Sequence, residues 1–267
     1  MTHVFPTNPF RTALAKQGRP LVGIWSVLNS SNVVEGLAHS GFDWMLIDNE
    51  HAPTDLGDTL SHLRAIAGSD TAPIVRLPWN DPVMIKKYLD IGAQTLMLPF
   101  VQSVEEAKAA VAATRYAPQG HRGIAMMHRA SRYGRIRDYI DRANDERFLI
   151  VQIETPTALD VAEDIAAVEG VDAVFFGPGD LSTLMGHRGN PTHQDVLEAM
   201  EAKCRLLHKA GKTVGILAPN AEAAERFIQF GFDFVSVATD GAIIFNAADG
   251  IAARFVSLSE ANTAKEA

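Results

Sequence analysis

Cysteine is almost absent from this chain: Cys204 is alone among 267 residues. No intramolecular disulfide and no cysteine-rich zinc site can form, which fits a reducing compartment and makes the cytoplasm the expected location. Long apolar runs are missing as well. The longest fall far short of the roughly 20 residues that cross a bilayer. The opening "MTHVFPTNPFRTALAKQG" lacks the basic-then-apolar order of a signal peptide, so a soluble chain with no membrane partner is expected. Positive charge is in deficit, with 24 Lys and Arg against 32 Asp and Glu and a net charge of −8. Without a long basic face a nucleic-acid partner is disfavoured, and a small-molecule ligand is expected instead. Neither a P-loop nor a dinucleotide-binding glycine fingerprint occurs.

What is present is apolar residues, 47% of the chain, enough to bury one large core. A single domain over residues 1–267 is expected. Four segments share one grammar: "SGFDWMLID", "IGAQTLMLP", "EGVDAVFFG" and "FGFDFVSVA". In each, a glycine (Gly41, Gly92, Gly170 or Gly231) closes a helix-like stretch, two residues follow, and an apolar strand begins. With the less regular runs, eight strands are predicted, at Pro20–Leu28, Trp44–Glu50, Ala72–Leu77, Thr95–Phe100, Phe148–Glu154, Val171–Gly177, Thr213–Ala218 and Phe232–Ala238. Amphipathic helical segments separate them. Near-continuous apolar strands alternating with helices indicate a parallel sheet, and eight such units indicate an α/β (β/α)8 TIM barrel, with a doubly wound open sheet as the competing architecture. The connection at 117–147 is overlong, which suits either a solvated excursion or a part of the site mouth. The polar tail "SLSEANTAKEA" is expected to fray.

Barrel active sites lie at the carboxyl ends of the strands, so the residues delivered there are the candidates. They are Trp25 from strand 1, Asp48, Glu50 and His51 from strand 2, Arg76 from strand 3, Gln152 and Glu154 from strand 5, Asp180 after strand 6, Leu217 from strand 7 and Asp240 from strand 8. Glu154 and Asp180 can converge from adjacent strands as a hard-cation site with open positions, suited to Mg²⁺ or Mn²⁺. A buried Arg76 then has an anionic partner within reach. Plainer readings exist for each: Asp180 as a helix cap before Ser182, Glu154 as an ion-pair partner of Arg76, Asp48 as a ligand of Arg76 or of a loop amide, Trp25 as core packing rather than pocket wall. Lys16, Lys86, Lys87, Lys108, Lys203, Lys209, Lys212 and Lys265 all fall on helices, between helix and strand at the barrel bottom, or in the tail. Schiff-base chemistry needs a desolvated lysine at a strand end, so carbonyl chemistry here would need a metal.

The segments "GFDWMLIDNEHAP", "PIVRLPW", "VQIETPTALD" and "GVDAVFFGPGDLS", in order over nearly the whole chain, closely resemble the metal-dependent class II pyruvate aldolases of the 4-hydroxy-2-oxoheptanedioate aldolase (HpcH/HpaI) type. The resemblance implies reversible cleavage of a 4-hydroxy-2-oxoacid to pyruvate and an aldehyde through an enolate held by a divalent metal (Mg²⁺, Mn²⁺ or Co²⁺). It implies Glu154 and Asp180 as metal ligands, and Gln152 with the Gly179 and Asp180 amides as pyruvate contacts. Arg76 would face the enolate oxygen and His51 would be the base, with Trp25 and Leu217 beside the substrate. Where this chain has Gly179, family members often have alanine.

The resemblance also implies Asp90 as the partner of His51. Asp90 closes the helix after strand 3, which runs back from the catalytic face, and ten helical residues span roughly 15 Å. The pair is therefore expected across a subunit boundary, in a homo-oligomer that the resemblance makes a hexamer, a dimer of trimers. The alternative substrates are 2-dehydro-3-deoxy sugar acids cleaved by the same chemistry, with the distal pocket drawn from His128, Arg129 and Arg132 or from a neighbouring subunit. More remote readings are a CoA-thioester carbon–carbon lyase and a non-catalytic metal-binding barrel.

Overall fold

A computed structural model describes residues 5–16 and 18–266, with the side chains of the last helix described as far as Leu258. Eight strands, β1 (Leu21–Ser26), β2 (Trp44–Asp48), β3 (Ala72–Arg76), β4 (Thr95–Leu98), β5 (Phe148–Ile153), β6 (Ala173–Phe176), β7 (Thr213–Leu217) and β8 (Phe234–Thr239), form a closed barrel in sequence order. Every pairing is parallel, and β8 returns to pair with β1, which rules out the open sheet. All eight strands fall where the sequence places them, with β8 running one residue further.

The helices are α1 (Pro9–Ala15), α2 (Ser31–Ala38), α3 (Leu56–Ile66), α4 (Pro82–Asp90), α5 (Val104–Thr114), α6 (Tyr139–Ala143) and α7 (Pro156–Asp160), followed by α8 (Ala162–Ala167), α9 (Pro178–Leu184), α10 (Gln194–Lys209), α11 (Ala221–Phe230) and α12 (Asp240–Glu266). Their starts follow local chemistry. Asp55 and Asp58 form a reciprocal capping box at α3, and the side chains of Asp81, Ser103, Thr155 and Asn220 cap α4, α5, α7 and α11. Gly41, Gly92, Gly170 and Gly231 have φ of 92°, 96°, 104° and 109°, the left-handed turn that leads each chain segment out of a helix and into a strand.

Strand alternation makes two cores. Met45, Ile47, Val75, Leu149 and Val151 face outward against the helices, while Trp44, Leu46, Ile74, Ile150, Phe175 and Phe234 fill the barrel. α1 closes the amino-terminal end of the barrel. Asn8 caps it, Pro9 starts it, and the fully buried Phe10 sits edge-on to Trp44, Phe148 and Phe234 at 6.4, 5.3 and 5.2 Å.

Two expectations need correction. The 117–147 connection is not part of this chain's mouth, and much of its first half is exposed. It joins α5 to β5, a helix to the next strand, so both its ends lie at the amino-terminal rim. There it folds back, with Ala130 N donating to Asp90 O and a small core of Phe5, Tyr116, Ile136, Tyr139 and Ala143 beneath it. The polar tail continues α12, which is helical as far as Glu266. Asp240–Leu258 within α12 is long and apolar enough, by length and composition, to cross a membrane. Counting uninterrupted apolar runs missed it, because Asn246, Asp249 and Arg254 break the run. Ile244, Phe245, Ile251 and Phe255 lie exposed along this helix, whose first residue, Asp240, is locked into the barrel.

Candidate active site

The inward rows of the barrel end in a polar layer. On β2 the row Trp44, Leu46 continues to Asp48; on β3, Ala72 and Ile74 continue to Arg76; on β5, Phe148 and Ile150 continue to Gln152 and then Glu154. Each polar residue is thus the next step of an apolar alternation, carried up to the carboxyl end.

Arg76 organises this layer. Its Nε and Nη2 donate to the two Asp48 oxygens at 2.9 and 2.6 Å, and its Nη1 lies 2.7 Å from Glu50 Oε2. The guanidinium stacks over the Trp25 ring, 4.8 Å from the centroid, and the Trp25 indole itself donates to Asp48 at 3.1 Å. Trp25 is therefore a core residue that also braces the arginine, and Asp48 serves both the arginine and the loop, accepting from the Glu50 and His51 amides. Burial opposes the Asp48 carboxylate, but the Arg76 fork, the Glu50 amide and the indole hold it below its ordinary range.

Glu154 has no such partner. It is buried, its Oε1 accepts from Gln152 Nε2 at 3.0 Å and its Oε2 from the Phe100 amide at 3.2 Å, and it makes no ion pair among the described residues. Burial, followed by the charge of Glu50, pushes its carboxyl up to about 7, with Asp180 adding to the rise and Arg76 opposing it. Burial likewise raises Glu50, with Arg76 and His51 acting against the rise and Asp48 and Asp180 adding to it. Asp180, on α9, is thus close enough for its charge to be felt by both glutamates. It caps nothing: Gly177 is the N-cap of α9 and no side chain caps that helix.

Four carboxylates, Asp48, Glu50, Glu154 and Asp180, therefore face one guanidinium. The donors are hard oxygens, and Gln152 Oε1 is buried without a hydrogen-bond partner. A divalent cation on Glu154 and Asp180 fits this set, because it supplies the charge that burial denies Glu154. Gly177 leaves room for this arrangement, since a Cβ there would collide with the Glu154 carboxylate. Gly179 is exposed and open, with nothing within 4 Å of an added Cβ.

Over residues 21–247 the sequence matches the profile of the HpcH/HpaI aldolase/citrate lyase family. The chain belongs to this family. A 4-hydroxy-2-oxo-heptane-1,7-dioate aldolase of Shigella flexneri is 48% identical over 97% of this chain and 97% of its own length. The crystal structure of an HpcH/HpaI aldolase/citrate lyase family protein from Burkholderia cenocepacia J2315 superposes with a TM-score of 0.89 at 39% identity, covering 93% of this chain and 99% of that one. The HpcH/HpaI aldolase from Desulfitobacterium hafniense DCB-2 gives 0.82 at 29% identity, covering 91% and 95%.

In this member of the family, Trp25, Asp48, Glu50, Arg76, Gln152 and Glu154 meet at the mouth, Asp180 borders it, and the half-buried Leu217 packs beside the Trp25 cluster. His51 stands at the edge with 67% of its side chain exposed, its Nε2 3.8 Å from Glu50 Oε1. Asp90 does not join it. Its carboxylate is held within the chain by Arg122 at 2.7 Å and lies 3.9 Å from His128 Nε2. Asp240 is structural, accepting from Ser26 Oγ and the Val27 amide to tie β8 to β1. Three contributors were not foreseen. The second Arg76 partner, Glu50, was named without a role. Phe100 reaches Glu154 through its backbone from a left-handed conformation, φ 53°, which no side-chain pattern announces. Gly177 looks in sequence like a plain strand end, yet its missing side chain makes room for the Glu154 carboxylate. A separate His187–His193–Asp195 group follows α9, its imidazoles stacked at 3.5 Å, and offers softer donors outside the barrel.

Proposed function

We propose that this protein is a class II pyruvate aldolase, a carbon–carbon lyase that reversibly cleaves a 4-hydroxy-2-oxoacid of the 4-hydroxy-2-oxoheptanedioate kind to pyruvate and an aldehyde. The observation that carries the reading is Glu154: a carboxylate buried at a strand end without a cation, beside an arginine already shared by two other acids. A bound Mg²⁺, Mn²⁺ or Co²⁺ would be held by Glu154 and Asp180 and supplies Lewis acidity at the 2-keto oxygen.

The chain's own groups do the rest. Gln152 and the Gly179 and Asp180 amides hold the carboxylate end of the substrate. His51, at the open edge, takes the C4 hydroxyl proton. The C4 oxygen lone pair closes the aldehyde carbonyl, the C3–C4 bond breaks, and its electron pair becomes the pyruvate enolate. Two of the five N–H donors of Arg76 are hydrogen-bonded to Asp48, while Glu50 is held by charge alone, which leaves donors on the guanidinium for the developing enolate oxygen. Protonation at C3 then completes pyruvate. Trp25 and Leu217 form the apolar wall beside the reacting carbons.

His51 completes its catalytic pair with Asp90 of a neighbouring subunit in a homohexamer. Support comes from the position of Asp90 at the lower rim, the exposure of His51, and the uncovered apolar residues of α12, which a second copy would bury. We read α12 as such a contact rather than a membrane span, and the enzyme as cytoplasmic. The decisive assay is pyruvate release from a panel of hydroxy-oxoacids, heptanedioates and 2-dehydro-3-deoxy sugar acids included, with and without EDTA. Release should require a divalent metal, and the panel identifies the aldehyde half. Release that persists after thorough chelation, with borohydride and pyruvate inactivating the protein, would overturn the reading.

A further inference from the structure

At the amino-terminal rim, opposite the mouth, lies a cavity of about 510 Å³ lined by Arg122, Arg129, Arg132, Arg135 and Arg147. Glu146 is the single acid in that lining, and its Oε2 already accepts from the Asn8 amide at 2.8 Å. Five guanidiniums around one space in a chain of net charge −8 repel one another unless something neutralises them.

Their internal partners do not suffice. Arg122 and Arg147 pair with Asp90 and Asp172 at 2.7 and 2.8 Å, yet each keeps a buried Nε without a hydrogen-bond partner. Arg129 and Arg135 make no ion pair among the described residues. Arg129 Nη1 donates to the Ile91 carbonyl at 2.7 Å across the bare face of Gly92, where an added Cβ would come within 2.6 Å of it. Burial, and then the charge of Arg64, work against its ionisation. The loop that carries these arginines is fixed: Arg132 and Tyr133 are left-handed at φ 50° and 56°, and Ser131 Oγ donates toward Met126 O and accepts from Gly134 N. Consecutive left-handed residues with side chains are costly, so the surrounding structure must hold them there.

We propose that this cavity binds a compact dianion, a phosphate group or a short dicarboxylate, on the rim opposite the chain's own barrel mouth and apart from its Glu154–Asp180 pair. Guanidinium forks match the planar or tetrahedral oxygens of such groups in pairs, whereas a monatomic anion engages them singly. The unspent donors of Arg122 and Arg147 and the unpaired charges of Arg129 and Arg135 are what the ligand satisfies.

Calorimetric titration of the full-length protein at constant ionic strength, with inorganic phosphate and separately with succinate, tests this. At least one should bind at one equivalent per chain, about tenfold or more weaker in Arg129→Gln and in Arg135→Gln, and unchanged in the Glu154→Gln, Asp180→Asn double variant. Binding of phosphate alone assigns the site to a phosphate group, and binding of succinate alone assigns it to a dicarboxylate. Arg135 is exposed, so its variant reports even where Arg129→Gln folds poorly. The proposal fails if neither anion binds. It also fails if binding survives both arginine variants, or if binding disappears with the Glu154 and Asp180 changes.

Discussion

The two ends of this barrel carry opposite imbalances. At the carboxyl end, Asp48, Glu50 and Glu154 gather about Arg76 with Asp180 at their edge, so acids outnumber the one guanidinium. At the amino end, arginines surround a cavity and the site is short of an anion. The two are also assembled differently. The mouth takes one or two residues from each of several strand ends, so its parts are far apart in sequence and meet because alternation and register align them. The rim draws most of its charge from one contiguous connection, residues 122–147. The mouth is therefore held by the barrel itself, while the rim depends on a loop that could be altered without disturbing the strands.

The largest effect that would break or sharpen this contrast is expected at Glu154. Glu154→Gln should lower pyruvate release by roughly a thousandfold and weaken metal binding while the barrel stays folded. The same residue gives a pH signature in chelated protein. Its folded carboxyl titrates at about 7 against an ordinary 4.5, so the folded chain holds the proton more tightly between those values. Its contribution to stability is full below about 4.5 and lost as the pH rises to 7, a fall of about 3 kcal/mol at most. Glu154→Gln should flatten that slope in thermal melts; an unchanged slope would mean that the carboxyl is not held in the buried, uncompensated state described.

Arg76→Lys comes next, with turnover reduced by roughly a hundredfold and metal affinity retained. One ammonium cannot serve Asp48, Glu50 and an enolate oxygen together. Wild-type turnover in this variant would remove Arg76 from the mechanism. His51→Ala and Asp90→Ala should each lose about a hundredfold, and mixing and reassembling the two should restore part of the activity. Proven subunit exchange with no recovery would confine Asp90 to its ion pair with Arg122. The smallest effect is expected at Gly179→Ala, within about twofold in turnover and melting temperature, because the added methyl enters open space. Gly177→Ala, two residues earlier, should damage the site by pushing on the Glu154 carboxylate, and equal tolerance at both positions would contradict the packing at the mouth.

Much of this was legible in the chain. Strands buried on both faces write themselves as apolar runs, and a glycine followed by two residues fixes where four of them begin. Arg76, Gln152 and Glu154 could be found because a charge or amide ending an apolar run has to be satisfied inside the barrel. What stayed hidden depended on backbone or on topology. The Phe100 amide leaves no trace in side-chain pattern. The rim position of the 117–147 connection is implied by its place between helix and strand, whereas its length alone suits a surface excursion and the mouth equally. The apolar character of α12 was spread between polar residues, so it escaped a search for unbroken runs.

The plug at Phe10 bears on how the chain reaches this state. It packs under rings from β2, β5 and β8, joining the first helix to the last strand. Contacts of such wide sequence separation form late, because the loop entropy they close is large. A chain emerging amino end first must hold Phe10 in waiting until β8 has been made. The barrel floor is then the last part to seal, and a chain cut before β8 lacks one of the three rings it seals against.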